Sequence, residues 1–426
     1  MIKVIRYPDK NAWNEIAKRP VIENFLLEKT VRKILDKVKA KGDKALKKFT
    51  KELDGVKLKK LSVSEKEISA TEKLITLELK EAIQQAKTNI ERFHSAQLEE
   101  IKEIETMPGI KCWRRSVAIE KVGIYIPGGT APLFSTVLML AIPARIAGCK
   151  EIVLCTPPLK DGSIHPAVLY AAKLCGVSKI FKAGGAQAIG AMAYGTESIP
   201  KVFKIYGPGN QFVTCAKQLV QQEAVAIDMP AGPSELLIIA DDSAVPEFVA
   251  ADLLSQAEHG PDSQVLLVTN NENLAEKVQF AIEEQLNDLP RKEIIERALS
   301  NSKIFLLKDI EEAIEFSNLY APEHLILACQ QKDGLSEQVI SAGSVFIGNY
   351  SPESAGDYAS GTNHTLPTNG YAAMYSGVSV DSFVKKITYQ KLNKEGLQNI
   401  GRTVELMAEA EGLTAHANAV SSRLEN

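Results

Sequence analysis

The sequence predicts an α/β protein: two doubly wound, incomplete Rossmann-like domains with mostly parallel sheets, an N-terminal arm and a helical C-terminal tail. Three observations lead there. Strand-like and helix-like segments alternate over 122–269, and the strand-like ones are continuous apolar runs such as Leu236-Leu237-Ile238-Ile239-Ala240. Runs of that kind suit strands buried on both faces, the condition of a parallel sheet covered by helices. Several of them end in glycine-rich turns, and ligands of such sheets bind at the carboxyl ends of the strands. Finally, 426 residues are too many for one ordinary core, so two or more domains are expected.

Residues 1–20 are polar with scattered aromatics and read as an arm. From Asn24 the apolar positions Leu27, Val31, Ile34, Leu35 and Val38 share one helical face, and Gly42 is a stop signal. Ser64 and Glu67 have capping-box spacing. Leu79, Ile83, Ala86, Ile90 and Phe93 predict a long amphipathic helix ending near His94. After Met107-Pro108-Gly109 the texture changes: a strand over 122–126 runs into Pro127-Gly128-Gly129-Thr130-Ala131-Pro132. A helix over 134–147, a strand over 151–155, a helix over 166–174 and a strand over 179–182 follow. Gly184-Gly185-Ala186-Gln187 opens another helix, and a strand over 202–206 closes in Gly207-Pro208-Gly209-Asn210. A helix to about 222 and strands over 225–227 and 236–240 come next. Then follow a strand over 265–269, helices over 272–286 and 292–300, a strand over 304–307 and a helix over 310–319.

A buried strand over 344–347 feeds the stretch 349–370, which has neither helical nor strand period. Structureless loops of that length are uncommon and usually functional or disordered; Tyr350 and Tyr358 argue against disorder. The tail carries an amphipathic helix on Leu397, Ile400, Val404 and Met407. These elements divide the chain into an arm (1–20), a larger α/β domain (21–124 with 237–378), a Rossmann-like domain (125–236) and a helical tail (379–426).

Composition narrows the function classes. Hydrophobic residues at 45% and charged ones at 24% match a soluble globular protein. A net charge of -3 gives no reason to invoke nucleic acid or an anionic membrane. The first residues lack the apolar core of a signal peptide, and no apolar run approaches the ~20 residues that span a bilayer. Six cysteines without a Cys-x-x-Cys pair read as reduced core residues of a cytoplasmic protein.

Four groups of residues could carry chemistry. Gln256 and His259 lie in the last turn of a helix that Gly260-Pro261 terminates, and i, i+3 spacing puts them on one face. That suits metal ligation; a capping role for His259 explains it equally well. Glu323 and His324 follow Pro322 at a helix-to-strand turn and could be two bases or a plain surface pair. Asp357 and His364 sit in the 349–370 stretch, and Glu411 and His416 in the tail. Of only six histidines, four fall in polar, turn-rich motifs, whereas His94 and His165 look ordinary. A set of Gln, His and Asp side chains suits zinc, or less specifically manganese or cobalt. There is no His-Glu-x-x-His pair and no P-loop. Gly184-Gly185-Ala186-Gln187 has the strand-to-helix context that holds a pyrophosphate, although structural turns explain such glycines as well.

Taken together these motifs resemble histidinol dehydrogenases. The matching segments run nearly end to end in that family's order: Val122-Gly123-Ile124-Tyr125-Ile126-Pro127-Gly128-Gly129, Gly184 through Ile189, Gly207-Pro208-Gly209-Asn210, Asp228 through Ser234, Ser255 through Gln264, Pro322-Glu323-His324, Ser351 through His364, and Leu413-Thr414-Ala415-His416. The resemblance implies an enzyme that binds one zinc ion per site and uses NAD. It would oxidise L-histidinol through L-histidinaldehyde to L-histidine. By motif, the metal ligands would be Gln256, His259, Asp357 and His416. The substrate would also meet Ser234, His324, His364 and Glu411, the cofactor would lie near Tyr125, Gln187 and Asn210 on the 125–236 domain, and Glu323 and His324 would be the bases. The family is a homodimer, so Glu411 and His416 would serve the partner's site.

That chemistry fits the residue types. An alcohol-to-acid oxidation needs a base for the hydroxyl proton and another for water; His324 is assigned the first and Glu323 the second. A cysteine thioester route is not expected, because none of the six thiols sits in a turn with an adjacent base. Two rivals remain open from sequence: a zinc hydrolase using Glu323, and a metal- or amine-binding protein without turnover.

Overall fold

The computed structural model describes residues 2–19, 24–128, 131–330 and 334–425. The chain opens with β1 (Lys3–Arg6), α1 (Trp13–Ile16), α2 (Asn24–Phe49), α3 (Glu65–Ala70) and α4 (Leu77–Ser95). β2 (Ile104–Met107) and β3 (Ile110–Ala118) make a hairpin. Next come β4 (Lys121–Tyr125), α5 (Phe134–Ala147), β5 (Glu151–Thr156), α6 (Pro166–Leu174), β6 (Lys179–Lys182), α7 (Gly185–Tyr194), β7 (Lys204–Tyr206), α8 (Gln211–Glu223) and β8 (Ala226–Ile227). The alternation continues through β9 (Glu235–Ala240), α9 (Pro246–Ala257), β10 (Gln264–Thr269), α10 (Glu272–Leu286), α11 (Lys292–Ser300), β11 (Lys303–Leu306), α12 (Ile310–Tyr320), β12 (His324–Ala328) and β13 (Ser344–Ile347). α13 (Glu353–Tyr358), β14 (Val384–Leu392), α14 (Lys394–Ala410) and α15 (Thr414–Leu424) complete it.

Two parallel sheets result, ordered β1-β11-β10-β9-β12-β13 and β6-β5-β4-β7-β8, with a small antiparallel sheet β14-β3-β2. The apolar runs occupy the sheet centres: every residue of β9 and of β10 is buried. Helices cover both faces, and α5, apolar on all sides, is buried from Ser135 to Ala144. The expected α/β class with two parallel sheets and a helical C-terminal end is what the chain forms.

Several boundaries differ from the sequence reading. β1 is no arm: it pairs with β11 as an edge strand of the six-stranded sheet. Met1 and Pro20, at the ends of that expected arm, and Gly129 and Thr130 of the first glycine turn lie outside the described residues. α2 and α4, expected with the larger domain, pack on the five-stranded sheet instead. Leu27, Val31, Leu35 and Val38 join a core with Tyr125, Val153 and Ile189, while Ile83, Ala86 and Ile90 join one with Ile124 and Val137. Gly42, at φ +47°, breaks α2 where a stop was expected. In α4 the inward residue of the last turn is His94, and Phe93 is exposed. β13 is an exposed edge with only Phe346 buried, and the stretch after it contains α13. The tail is not wholly helical: a 3-10 turn (Val380–Phe383) and a strand, β14, precede its helices.

The two parallel sheets meet head to tail. The segment 228–234 leaves the carboxyl end of β8 and enters the amino end of β9 directly. A cleft of about 1220 Å³ lies there, lined from one side by Pro127, Gly209 and Asn210 and from the other by Ser234, His259 and Tyr320. The glycine turns therefore open from carboxyl strand ends, while the six-stranded sheet offers the amino ends of β9, β10 and β12.

Candidate active site

Glu323 and His324 stand where α12 hands over to β12. Ala321 stops the helix in the left-handed region at φ +50°, Pro322 forbids its continuation, and His324 begins the strand. Both side chains are buried, at 6% and 3% exposure. Glu235, the first residue of the neighbouring strand, holds them through its own peptide groups. Its N–H donates to Glu323 Oε2 at 2.8 Å, and its carbonyl accepts from His324 Nδ1 at 3.2 Å and from Gln256 Nε2 at 3.2 Å. His324 Nδ1 therefore carries a proton, and Nε2 is turned toward Asp357 Oδ1, 3.6 Å away.

α13 supplies the opposing wall. Glu353 and Asp357 are one helical turn apart, so both face inward, and both are buried. His259, just past α9, reaches the same point: ligand atoms of His259, Glu353 and Asp357 all lie within 4.8 Å of one another. Gln256 sits one turn back on α9, 1% exposed. His364 donates from Nδ1 to the Asp357 carbonyl at 2.8 Å, and its Nε2 accepts from the Thr136 hydroxyl at 3.0 Å.

Four buried polar atoms here have no hydrogen-bond partner: Gln256 Oε1, His324 Nε2, Glu353 Oε2 and Asp357 Oδ1. Leaving such atoms bare is costly, so a group of them implies a missing ligand. Two carboxylates, an imidazole and an amide oxygen fit a divalent cation of the zinc kind.

The charges are strongly coupled. Burial pushes Glu323 up to about 8, against the pull of His324. Burial also opposes the charge on His324, but Glu323, Glu353 and Asp357 outweigh it and raise the imidazole to about 10. Glu353 is raised well above the carboxylate range by burial. For Asp357 burial is outweighed by His324, His364 and His259, and its pKa is lowered. His259 keeps an exposed edge at the cleft mouth, yet desolvation still lowers its pKa; desolvation likewise lowers that of the half-buried His364.

The structure thus gathers Gln256, His259, Glu323, His324, Asp357 and His364, with Ser234 on the cleft wall. Asn210 lines the cleft and caps α8. Tyr125 and Gln187 lie buried behind that wall; Tyr125 Oη accepts from the Gly185 N–H at 2.9 Å, and Gln187 Oε1 is another buried atom without a partner. Glu411 and His416 are exposed on the α14–α15 pair, and in this single chain neither belongs to the cluster. Glu353 is the member that sequence reasoning missed. Its one signal is the i, i+4 spacing to Asp357 after Pro352, on a helix too short to show a period.

Fold and site together define a two-sheet α/β enzyme with a candidate metal centre buried beside the cleft, which His259 lines. The sequence pattern of the family described as Histidinol dehydrogenase matches residues 17–424. The chain is 62% identical over 424 residues to a histidinol dehydrogenase of Bacteroides fragilis, covering 100% of this chain and 99% of that one. It is 53% identical over 413 residues to that of Shigella dysenteriae, covering 96% and 94%. A crystal structure of histidinol dehydrogenase from Elizabethkingia anophelis superposes with a TM-score of 0.98 at 57% identity, covering 100% of this chain and 98% of that one. The chain belongs to the histidinol dehydrogenase family, oxidoreductases of histidine biosynthesis. The hydrolase and the non-catalytic readings fall away with that membership. Among the described residues no helix is long and apolar enough to cross a membrane.

Proposed function

We propose that this protein oxidises L-histidinol to L-histidinaldehyde and then, with water, to L-histidine, using two NAD and one zinc ion per site. The observation that carries the reading is the buried Glu323–His324 pair set against the unpartnered atoms of Gln256, Glu353 and Asp357. Gln256, His259 and Asp357 would hold the metal, with Glu353 as a further carboxylate in reach and His416 supplied by the tail. Zinc, when bound, would orient the substrate through its imidazole and amine; NAD, when bound, accepts the hydride of each oxidation.

The remaining work falls to the chain. Nδ1 of His324 is tied to the Glu235 carbonyl, so Nε2 is the nitrogen that takes the hydroxyl proton as hydride leaves carbon. Asp357, beside Nε2, helps hold His324 protonated; with Asp357 engaged by a cation that hold would weaken and Nε2 would be open to accept a proton. Glu323, raised to about 8, takes a proton from the water that adds to the aldehyde. His324, once its first proton has been released to solvent, takes a hydroxyl proton of the resulting hydrate as the second hydride leaves. Ser234, His364 and, from the tail, Glu411 would contact the substrate. A thiol nucleophile is not needed: burial pushes Cys149 and Cys175 up to about 12, which disfavours the thiolate.

The cofactor would lie on the five-stranded side, near Asn210, Gln187 and Tyr125, in a cleft large enough for a dinucleotide. The apolar stripe of α14–α15, with Leu406, Met407 and Leu413 exposed, supports a homodimer in which the tail crosses to its partner. A cytoplasmic location fits a biosynthetic oxidoreductase. The test is to mix the protein with zinc, NAD and L-histidinol. Two NADH per L-histidine formed, abolished by chelation and restored by zinc, is the expected result; no NADH would refute the reading.

A further inference from the structure

Arg19 reaches from the N-terminal segment into the support of the catalytic pair. Its Nε and Nη2 donate to the two carboxylate oxygens of Glu235, at 2.5 and 2.9 Å. Nη2 also donates to the Tyr320 carbonyl at 2.7 Å, and the guanidinium lies 3.9 Å over the Tyr320 ring. Glu235 is only 3% exposed, and its Oε1 accepts in addition from the Asn369 N–H at 2.8 Å.

The backbone of that same Glu235 binds Glu323 Oε2, His324 Nδ1 and Gln256 Nε2. The carbonyl that Arg19 holds belongs to the last residue of α12, three positions before Glu323. One cation therefore clamps two things at once: the residue whose peptide orients both bases, and the turn that delivers them. Without it Glu235 would be a buried, uncompensated carboxylate, which must turn toward solvent or take up a proton. Either response moves or loosens the peptide on which Glu323 and His324 hang.

We propose that Arg19 is a positioning residue for the reaction, acting on Glu323 and His324 through Glu235 and the Tyr320 carbonyl. This rests on the reading of Glu323 and His324 as the bases. Lysine could restore the charge but not the paired bonds and the ring contact, so Arg19→Lys falls between wild type and Arg19→Ala.

The test is steady-state kinetics on the full chain loaded with zinc. Arg19→Ala lowers kcat by about tenfold or more, leaves KM for L-histidinol and for NAD within about twofold, and leaves zinc uptake unchanged. Millimolar guanidinium restores part of the lost kcat in Arg19→Ala and none in Glu235→Gln, where the anion is gone. If Arg19→Ala folds poorly, Arg19→Lys supplies the test, and wild-type kcat in it overturns the proposal. So does a loss confined to KM, which would make Arg19 a ligand contact of the cleft, or a zinc-loaded Arg19→Ala that guanidinium does not improve. Wild-type turnover in His324→Asn would instead sink the base assignment itself.

Discussion

At Glu323 and His324 burial and neighbouring charge act on adjacent residues with a shared consequence for stability. Both pKa values are raised in the folded, metal-free chain, from 4.5 to about 8 and from 6.5 to about 10. Each group therefore binds more protons folded than unfolded, and its contribution is full below the unfolded value and lost as pH rises through the folded one. Stability of the metal-free protein should fall between about pH 5 and 10. His259 and His364 are shifted downward and act oppositely, removing stability as pH falls below 6.5. Urea midpoints across pH check this, and Glu323→Gln should flatten the alkaline decline. In turnover, His324→Asn should cost more than about a hundredfold with little change in substrate affinity. Glu323→Gln should slow oxidation of the aldehyde more than that of the alcohol; equal losses on the two substrates would remove the division of labour. Glu353→Gln should weaken zinc binding by about tenfold to a hundredfold, read by chelator competition. Most of this cluster was legible because imidazoles and carboxylates stand out in turn-rich motifs. Glu353 and Thr136 were not, since their parts depend on how α13 and α5 dock, and nothing local announces it.

Elements differ in how much of themselves they display. The apolar runs of β9 and β10 and the periodic faces of α2 and α4 were visible because continuous burial and one-sided burial each leave a pattern. Which sheet α2 and α4 would cover was not, because an apolar face does not name its partner. β3 and β14 were missed for the opposite reason: they carry charges along both faces, as in Lys-Cys-Trp-Arg-Arg, and lie largely open. Below the glycine turn after β7, Lys217 and Asp228 form a buried ion pair with side chains 4% and 1% exposed. Lys217 Nζ donates to the Gly207 carbonyl at 2.9 Å, and Asp228 Oδ2 accepts from the Gly207 N–H at 2.8 Å. The pair fixes both loops of the proposed cofactor wall. Lys217→Met leaves Asp228 buried without a partner and should destabilise the protein by about 3–5 kcal/mol in denaturant titration.

On the scale of the whole molecule, the site exists only because carboxyl strand ends of one sheet confront amino strand ends of the other. The sequence announced the glycine turns of the first, whereas for the second the one sign of use from the amino side was the helix-to-strand turn of Glu323 and His324. If the tail serves a partner's site, mixing His416→Ala with His324→Asn protein under subunit exchange should restore part of the turnover. Each parent alone should stay nearly inactive, and a mixture no better than its parents would return the tail to its own site.

The pairing of β1 with β11 sets a clock on synthesis. Residues 3–6 leave the ribosome long before the strand they zip onto, which begins at Lys303. At about 5–20 residues per second the opening segment waits about 15 to 60 s for its neighbour. Residues 121–227, which hold all five strands of the other sheet, can meanwhile collapse on their own emerging length. One half of the nascent polypeptide is thus built in passing, while the other waits for β11, with residues 3–6 unpaired in the interval.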